Sequence, residues 1–504
     1  MKTKTMKKIL AASVAAFMMC AAVPMNVGPK VSAYTITISS YNGESAGTHT
    51  YTAYRIFKGD VSGSTLSNVQ WGDGVNTTGL LDAIKEIDIS SSKPFEHCST
   101  VADVADVLSG NADDSEIAVE FAKLVSGYVT GGTDSTGNVI DVGDNPGYYL
   151  IKDKNTMTNS AQTRYILKVT DSDVTINPKM DYPTVDKKIG PQLNSTTVAN
   201  TASIGDTIPY VIKSTIPDMT GYSTYDYKIT DTMSTGLTYD DATGVTVAID
   251  MNDDGAISED EKLAKDTDYS LSTNSNKIEI NFLNFKSHQT YKEKNIYVTY
   301  SAKLNENASI STTGSSANTN TVKLEYSNNP NNSSDKGTTP DKTVVTYTAS
   351  IKINKTKSDG ITALQGAGFI LYDSSGNPIG SEQTSGSDGT LSFTGLGAGT
   401  YVIKETTVPA GYNKAPDYTL VIGTDSIDTS SCSWKVDSGS DNIFSITSGS
   451  SEYTAKIINQ AGATLPGTGG IGTTIFYVSG GALVVGAAVV LITRKRMSLK
   501  EDKK

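Results

Sequence analysis

The chain has 504 residues, with 54 acidic against 42 basic side chains, a formal net charge of −12 and only three Cys and three His. This acidity argues against nucleic acid and anionic membrane surfaces as partners, and the Cys count argues against a disulfide framework. The length predicts two to four domains.

The first 33 residues have the parts of a secretory signal peptide. An apolar stretch, Ile9–Val23, precedes a small-residue cleavage site at Val31-Ser32-Ala33. The basic start contains Lys2, Lys4, Lys7 and Lys8. We therefore expect an exported chain that begins at Tyr34.

The rest of the chain has the pattern of a mainly β protein. Short alternating apolar runs, rich in Tyr and Thr, are broken by Gly, Asn, Asp and Ser, which favours β-sandwiches. Apolar residues recur at helical spacing chiefly over 78–87 and 101–128. Boundaries near Tyr182-Pro183 and in the loop 328–342 predict three tandem Ig-like β-sandwich domains, with some helix in the first. These domains are 34–182, 183–343 and 344–463.

A G-x-S-x-G pattern at Gly43–Gly47, with His49 nearby, has the form of a hydrolase nucleophile turn. That turn joins a strand to a helix, whereas this pattern lies between two strand-like runs, so we expect a hairpin loop. The three His (His49, His97 and His288) show no metal-ligand spacing. We expect no turnover active site.

The stretch Asp250–Glu261 matches the calcium loop of an EF-hand at every key position, with Gly255 sixth. The residues before it read as a strand rather than a helix, so an acidic turn without an ion is the alternative. We expect no required cofactor and keep Ca²⁺ as the candidate ion. Its predicted oxygen ligands are Asp250, Asn252, Asp254, Ala256 (backbone), Ser258 and Glu261.

The C-terminal stretch 464–504 combines a pentapeptide, an apolar run over 471–493 and a basic tail. The run is long enough to span a bilayer, with its basic flank inside. This order resembles the LPxTG cell-wall sorting signal of Gram-positive surface proteins. The pentapeptide is Leu465-Pro466-Gly467-Thr468-Gly469. The resemblance implies that a sortase cleaves after Thr468 and transfers its acyl group to an amine, so the membrane holds the chain only before sorting.

Removal of both ends makes the chain more acidic. The signal carries five Lys, and the segment from Gly469 carries six basic and two acidic residues. The mature chain therefore has 31 basic and 52 acidic side chains, a net charge of −21. Cys20 leaves with the signal, and Cys98 and Cys432 fall in different predicted domains.

The last predicted domain is similar to the collagen-adhesin B-type domain, and Glu405–Tyr412 (ETTVPAGY) matches the E-box of pilin subunits. The resemblance implies an intramolecular isopeptide bond from Lys355 to Asn459, with Glu405 as the assisting acid. Lys352 and Lys357 are alternative nucleophiles. Burial lowers the pKa of a Lys and raises that of a carboxyl group, so a neutral amine can attack the Asn carbonyl that the acid polarises.

The middle domain resembles the A-type relative of that fold, in which the assisting acid is an Asp. The resemblance implies Lys187 as nucleophile, Asp231 as acid and Asn320 as acceptor. The nearest alternatives are Lys188 and Asn318. Each such site reacts only once, so these residues do not make the protein an enzyme.

The first domain lacks part of this set. Gly147–Asp153 repeats the pattern of Gly399–Glu405 and so places Asp153 at the acid position. No Lys occurs between Tyr34 and Phe57. We therefore predict no isopeptide bond in the first domain.

The junction of the first two domains carries Val174-Thr175-Ile176-Asn177-Pro178-Lys179. It resembles the pilin motif of Gram-positive major pilins, although Asn177 replaces the usual Tyr and Thr170 the usual upstream Trp. The resemblance implies that Lys179 attacks the Thr468 acyl group of another subunit and so builds a covalent fibre.

Together these motifs resemble the backbone subunit of a sortase-assembled pilus, an extracellular structural protein of a Gram-positive cell wall. The implied partners are a pilus-class sortase, further copies of the chain, minor pilins and peptidoglycan. The alternative is a wall-anchored adhesin or minor pilin that is not polymerised through Lys179.

Overall fold

The computed structural model describes residues 33–40, 49–62, 65–113, 115–154, 161–163, 165–170, 172–178, 181–462 and 471–501. Within these ranges the chain is mostly β, which confirms the predicted fold class. The signal peptide, Gly43–Gly47, Lys179 and the pentapeptide 465–469 lie outside the described residues. The described residues group into two compact units that divide near residue 180.

The first unit combines two sheets with three short helices. One sheet has the strand order β5-β1-β8, and the other has the order β3-β2-β6-β7 with β4 paired to β2. The strands are β1 Tyr34–Ile38, β2 Tyr51–Ser62, β3 Thr65–Trp71, β4 Thr133–Asp134, β5 Val139–Gly143, β6 Gly147–Asp153, β7 Ile166–Thr170 and β8 Val174–Ile176.

The helices of this unit are α1 Leu80–Lys85, α2 Val101–Ser109 and α3 Glu116–Val125. The helical spacing over 101–128 therefore belongs to two helices rather than one. Each has its own cap, because the Thr100 hydroxyl accepts from the Asp103 N–H and the Ser115 hydroxyl accepts from the Ala118 N–H. Such side-chain caps satisfy the free N–H groups that begin a helix.

The first half of the second unit packs a seven-stranded sheet against a five-stranded one. Their strand orders are β10-β20-β18-β12-β16-β15, with β19 on β18, and β13-β17-β11-β9, with β14 on β17. The strands are β9 Val185–Ile189, β10 Ala199–Thr201, β11 Thr207–Thr215, β12 Tyr227–Met233, β13 Leu237–Tyr239, β14 Thr246–Asp250, β15 Tyr269–Asn274, β16 Lys277–Phe282, β17 Asn295–Leu304, β18 Asn318–Ser327, β19 Lys336–Thr338 and β20 Lys342–Tyr347. Short 3₁₀ turns cover Glu259–Glu261, Phe285–Tyr291 and Gly314–Ser316.

The second half of this unit encloses its own core between sheets of order β24-β21-β29-β28 and β23-β22-β25-β26-β27. Strands β21 and β29 run parallel, so the first and last strands are neighbours. The strands are β21 Ala349–Thr356, β22 Gly368–Asp373, β23 Pro378–Thr384, β24 Thr390–Leu396, β25 Gly399–Thr407, β26 Tyr418–Ile427, β27 Cys432–Val436, β28 Phe444–Ile446 and β29 Glu452–Ile458.

Strand β20 joins the two halves of the second unit. Val344 belongs to the core of the first half, whereas Val345 and Tyr347 belong to that of the second. Successive side chains of a strand point to opposite faces, so one strand serves both cores. The division into three domains at 182 and 343 stays a prediction.

The C-terminal helix α4, Ile471–Glu501, is apolar along most of its length. Its stretch Thr474–Met497 has a mean hydropathy of 2.4 and is long and apolar enough to cross a membrane. Large apolar side chains such as Phe476 and Leu483 are exposed, as expected for a segment that sits in lipid.

Candidate functional site: two buried lysine, acid and asparagine clusters

Strand alternation places the three predicted residues of the C-terminal cluster in the core. Ile351, Ile353 and Lys355 lie on the inward face of β21. The same period puts Glu405 inward on β25 and Asn459 inward just after β29, because residues two apart along a strand share a face. Lys355, Glu405 and Asn459 are each 0% exposed.

Glu405 and Asn459 are in direct contact. Asn459 Nδ2 donates a hydrogen bond of 2.7 Å to Glu405 Oε1, and the Ala415 N–H donates one of 2.6 Å to Oε2. Asn459 Oδ1 is buried and has no hydrogen-bond partner among the described residues. Glu405 therefore contacts the amide nitrogen of Asn459 and not the carbonyl oxygen that it was expected to polarise.

Lys355 is held by backbone carbonyls. Its Nζ donates to Ile457 O at 3.1 Å and to Thr356 O at 3.4 Å. Burial lowers the pKa of Lys355 to about 8, against the opposing effect of the Glu405 charge. The neutral, nucleophilic form of the amine is therefore far more populated near neutral pH than in an exposed Lys.

Strand alternation also builds the middle cluster. Along β9, buried and half-buried residues alternate, and Lys187 is buried like Val185 and Ile189. Asp231 lies on the inward face of β12, and Asn320 lies on that of β18. All three are at most 1% exposed, which is rare for Lys and Asp unless they are paired.

The middle cluster converges on a hydroxyl group. Lys187 Nζ contacts Asp231 Oδ2 and donates to Tyr300 OH at 2.7 Å. Tyr300 OH donates to Asp231 Oδ1 at 2.7 Å and accepts from Asn320 Nδ2 at 2.7 Å. Asn320 Oδ1 is buried without a hydrogen-bond partner in the described part of the chain.

Burial drives both ionisable groups of this cluster toward their neutral forms. Desolvation lowers the pKa of Lys187, although the Asp231 charge opposes the shift. Desolvation likewise raises the pKa of Asp231, although the Lys187 charge opposes it. A neutral amine beside a protonated acid is the pair that amide formation at Asn320 requires.

Sequence reasoning missed Tyr300. It lies on the inward face of β17, in register with the buried Ile296, Val298 and Ala302. The alternation identifies it as a core residue, but nothing in the sequence distinguishes it from the other 25 Tyr. Its role depends on where β17 passes β9 and β12.

The alternative residues lie elsewhere. Lys188, Lys352 and Lys357 are half-buried rather than enclosed in the core. Asn318 is buried, but its Oδ1 accepts from the Ser309 N–H at 2.8 Å, and its Nδ2 donates to backbone carbonyls. The residues that meet in the two cores are the primary predicted ones.

In the first unit, Asp153 is buried beside a histidine. His49 Nδ1 lies 2.8 Å from Asp153 Oδ2, and both side chains are fully enclosed. The Thr163 N–H donates to the same carboxyl oxygen at 3.0 Å. The absence of an isopeptide bond in this unit stays a prediction.

In the calcium-like loop, carboxylates of the predicted ligand set accept hydrogen bonds from the loop's own backbone. Asp250 is buried, and its Oδ1 has no hydrogen-bond partner among the described residues. The Glu261 carboxylate accepts from the backbone N–H groups of Met251 and Ser258, each at 2.9 Å. Within the described ranges, no group of three or more His, Cys, Asp or Glu side chains is placed to hold a metal ion.

Three family models match the chain. Residues 204–330 match the Gram-positive pilin backbone subunit 2, Cna-B-like domain; 349–435 match the prealbumin-like fold domain; and 457–498 match the LPXTG cell wall anchor motif. The model that matches the middle domain is described as Cna-B-like, so the assignment of this domain to the A type stays a prediction. No curated protein sequence matches the chain.

Two solved structures are among those that the chain matches. The chain is similar to the T6 backbone pilin of serotype M6 Streptococcus pyogenes, with 18% identity and a TM-score of 0.56 over 86% of this chain and 100% of that one. It also matches the Corynebacterium diphtheriae major pilin SpaA, with 14% identity and a TM-score of 0.47 over 85% of this chain and 100% of that one. At 18% identity, the similarity to the T6 backbone pilin shows a common fold.

Proposed function

This chain is a cell-wall-anchored surface pilus protein with a Gram-positive pilin backbone domain, and from that premise we propose that it is the repeating structural subunit of a covalent pilus. Two self-made isopeptide bonds, Lys187 to Asn320 and Lys355 to Asn459, stiffen each subunit. Sortase joins Thr468 of one subunit to Lys179 of the next.

The observation that carries the proposal is the burial of two Lys side chains, each in a cluster with an acid and an Asn. An unpaired buried charge is costly, and a buried ion pair is on average a poor source of stability. A covalent amide removes the charge of the Lys and so removes this cost. Both clusters present the groups from which that amide forms.

The reaction is an amide exchange at each Asn. The neutral Lys Nζ attacks the Asn Cγ, a new Nζ–Cγ bond forms, and the Cγ–Nδ2 bond breaks. One proton passes from Nζ to the leaving nitrogen, which departs as ammonia. Glu405 in one cluster and Asp231 in the other are placed to handle this proton.

Both bonds would lie on the path of a pulling force. Lys355 is on β21 and Asn459 follows β29, the first and last strands of their sandwich. Tension applied at the ends would pass through the amide and leave the strands between unstretched. The Lys187–Asn320 bond would carry tension from β9 to β18, and strands β19 and β20 lie beyond it.

Polymerisation through Lys179 rests on its place in the sequence. The residue follows β8, Val174–Ile176, and precedes the second unit, which begins at Asp181. Connecting segments usually run over a protein's surface, where a bulky acyl-enzyme can approach, and this general rule supports the proposal. A pilus-class sortase, minor pilins and peptidoglycan are the further partners of this proposal.

Replacing Lys179 with Arg is expected to abolish the high-molecular-mass ladder of wall-released protein, because Arg keeps the charge but supplies no amine nucleophile. Tandem mass spectrometry of the wild-type digest should find a branched peptide that joins Thr468 to Lys179. Lys168→Arg on β7 is the matched control and should leave the ladder intact. Thr468 joined only to wall peptide would instead indicate a monomeric anchored adhesin or minor pilin.

We also propose that the loop Asp250–Glu261 binds Ca²⁺, which its spacing and the unpartnered Asp250 oxygen support. Calcium at 100 times its Kd is expected to add roughly 2.7 kcal/mol to the free energy of unfolding. Thermal unfolding with Ca²⁺ and with EDTA measures this effect. The difference in unfolding temperature between Ca²⁺ and EDTA should disappear in Asp250→Asn and persist in Asp241→Asn, at an exposed position. Equal unfolding temperatures of the wild type in Ca²⁺ and in EDTA would exclude calcium binding.

A further inference from the structure

Tyr300 OH is the only hydroxyl, among the hydrogen bonds of the described residues, that links all three members of the middle cluster. It accepts from Lys187 Nζ and from Asn320 Nδ2, and it donates to Asp231 Oδ1, each at 2.7 Å. It therefore touches the nitrogen that would attack and the nitrogen that would leave.

The C-terminal cluster achieves the corresponding contact without a hydroxyl. Glu405 Oε1 accepts directly from Asn459 Nδ2 at 2.7 Å. Asp231 has one methylene fewer, and its hydrogen bonds go to Lys187 and Tyr300. The phenol thus fills the gap between the shorter acid and its Asn.

We propose that Tyr300 is a catalytic residue of the middle isopeptide bond, which carries a proton between Asp231 and the leaving nitrogen of Asn320. This inference rests on the proposed isopeptide function. It assigns the middle site a four-residue machinery, Lys187, Asp231, Tyr300 and Asn320, in which Asp and Tyr together do what Glu405 does alone.

The proton balance closes through three transfers. Asp231 starts in its protonated form. Tyr300 gives its own proton to Asn320 Nδ2, which then leaves as ammonia, and takes the Asp231 proton along their hydrogen bond. The Asp231 carboxylate so formed accepts one proton from Lys187 Nζ as the Nζ–Cγ bond forms, which restores both side chains.

The surroundings keep the phenol in its protonated form and in place. Burial raises the pKa of Tyr300 well above its ordinary value, and the Asp231 charge acts in the same direction. The Tyr300 ring stacks on Tyr210 at 5.4 Å. Lys187 Nζ lies 5.0 Å from the Tyr210 ring centre and 5.1 Å from that of Tyr300, so both rings lie close to the amine.

The test follows bond formation in newly made full-length chain. Wild type and Tyr300→Phe are produced by cell-free synthesis and quenched in acid at intervals, and the crosslinked peptides are quantified by mass spectrometry. Tyr300→Phe is expected to slow the Lys187–Asn320 bond by roughly 100-fold or more, the usual contribution of a general acid–base group. The Lys355–Asn459 bond of the same molecules should form at the wild-type rate.

Tyr239→Phe is the matched control, because its ring packs against Tyr300 with centres 6.4 Å apart. It removes a hydroxyl from the same core and should leave both bonds at wild-type rate. A Tyr300→Phe chain that forms the middle bond as fast as wild type would overturn the proposal. A wild-type chain with no middle bond would instead overturn the proposed function.

A rescue separates chemistry from packing. In Tyr300→Phe/Asp231→Glu the longer acid can reach Asn320 as Glu405 reaches Asn459, so we expect the middle bond to return in part. A purely structural Tyr300 would gain nothing from this change. If the double variant formed the Lys355–Asn459 bond normally but not the Lys187–Asn320 bond, this would count against proton transfer through Tyr300.

Discussion

Replacing Glu405 with Gln is expected to leave Lys355 and Asn459 unjoined and to lower the free energy of unfolding of their sandwich by about 5 kcal/mol. Gln keeps the shape of Glu but cannot exchange a proton. A crosslink stabilises a fold chiefly by restricting the unfolded chain, and a loop of about 100 residues corresponds to about 4.7 kcal/mol. The loop from Lys355 to Asn459 is of this length.

Peptide mass mapping and thermal unfolding of the purified chain measure this effect together. Glu452→Gln, at an exposed position of β29, is the control and should keep the bond and the unfolding midpoint. Detection of the Lys355–Asn459 peptide at wild-type yield in Glu405→Gln would refute the role of Glu405. A lost bond with no change in stability would refute the crosslink as a stabiliser.

Replacing Lys187 with Met is expected to destabilise the middle sandwich about as much as loss of the other bond destabilises its own. It removes the middle crosslink, worth on the order of 5 kcal/mol by the same chain-entropy argument. Lys188→Met, at the half-buried neighbour on β9, should cost far less, and an equal loss in both variants would contradict the assignment.

The Lys187→Met variant should also lose stability as pH rises. Burial raises the pKa of Asp231, and the Lys187 charge that partly lowers it is gone. A carboxyl group whose pKa is raised in the folded state stabilises the fold below its unfolded pKa, about 4. That stability is lost as pH rises through the folded pKa.

Chemical denaturation of Lys187→Met at a series of pH values measures this slope. Lys187→Met/Asp231→Asn removes the titrating group, so its stability should lack the fall above pH about 4. If the single and double variants showed the same pH profile, Asp231 would not be the responsible group.

Much of this protein could be predicted from the two-residue period of its strands and from its linear motifs. Alternation puts Lys355 two residues after Ile353 and Asn459 two after Ile457, so their burial follows from the local pattern. The same rule places Lys187 between Val185 and Ile189. The order of pentapeptide, apolar run and basic tail required no tertiary information, since a sorting signal is a linear feature.

Other features depended on contacts between distant segments. The pairing of His49 with Asp153 joins residues about a hundred positions apart and leaves no local trace.

By itself, the sequence determined the mainly β class and the wall anchor, because each is encoded in a short period or a linear motif, whereas the two candidate Lys–Asn pairs with their acids came from the family resemblance. Only the tertiary structure decided that Lys188, Lys352 and Lys357 stay outside the clusters and that Tyr300 completes the middle one. Alternation assigns a side chain to a face, but which faces meet depends on how β9, β12, β17 and β18 pack across the core.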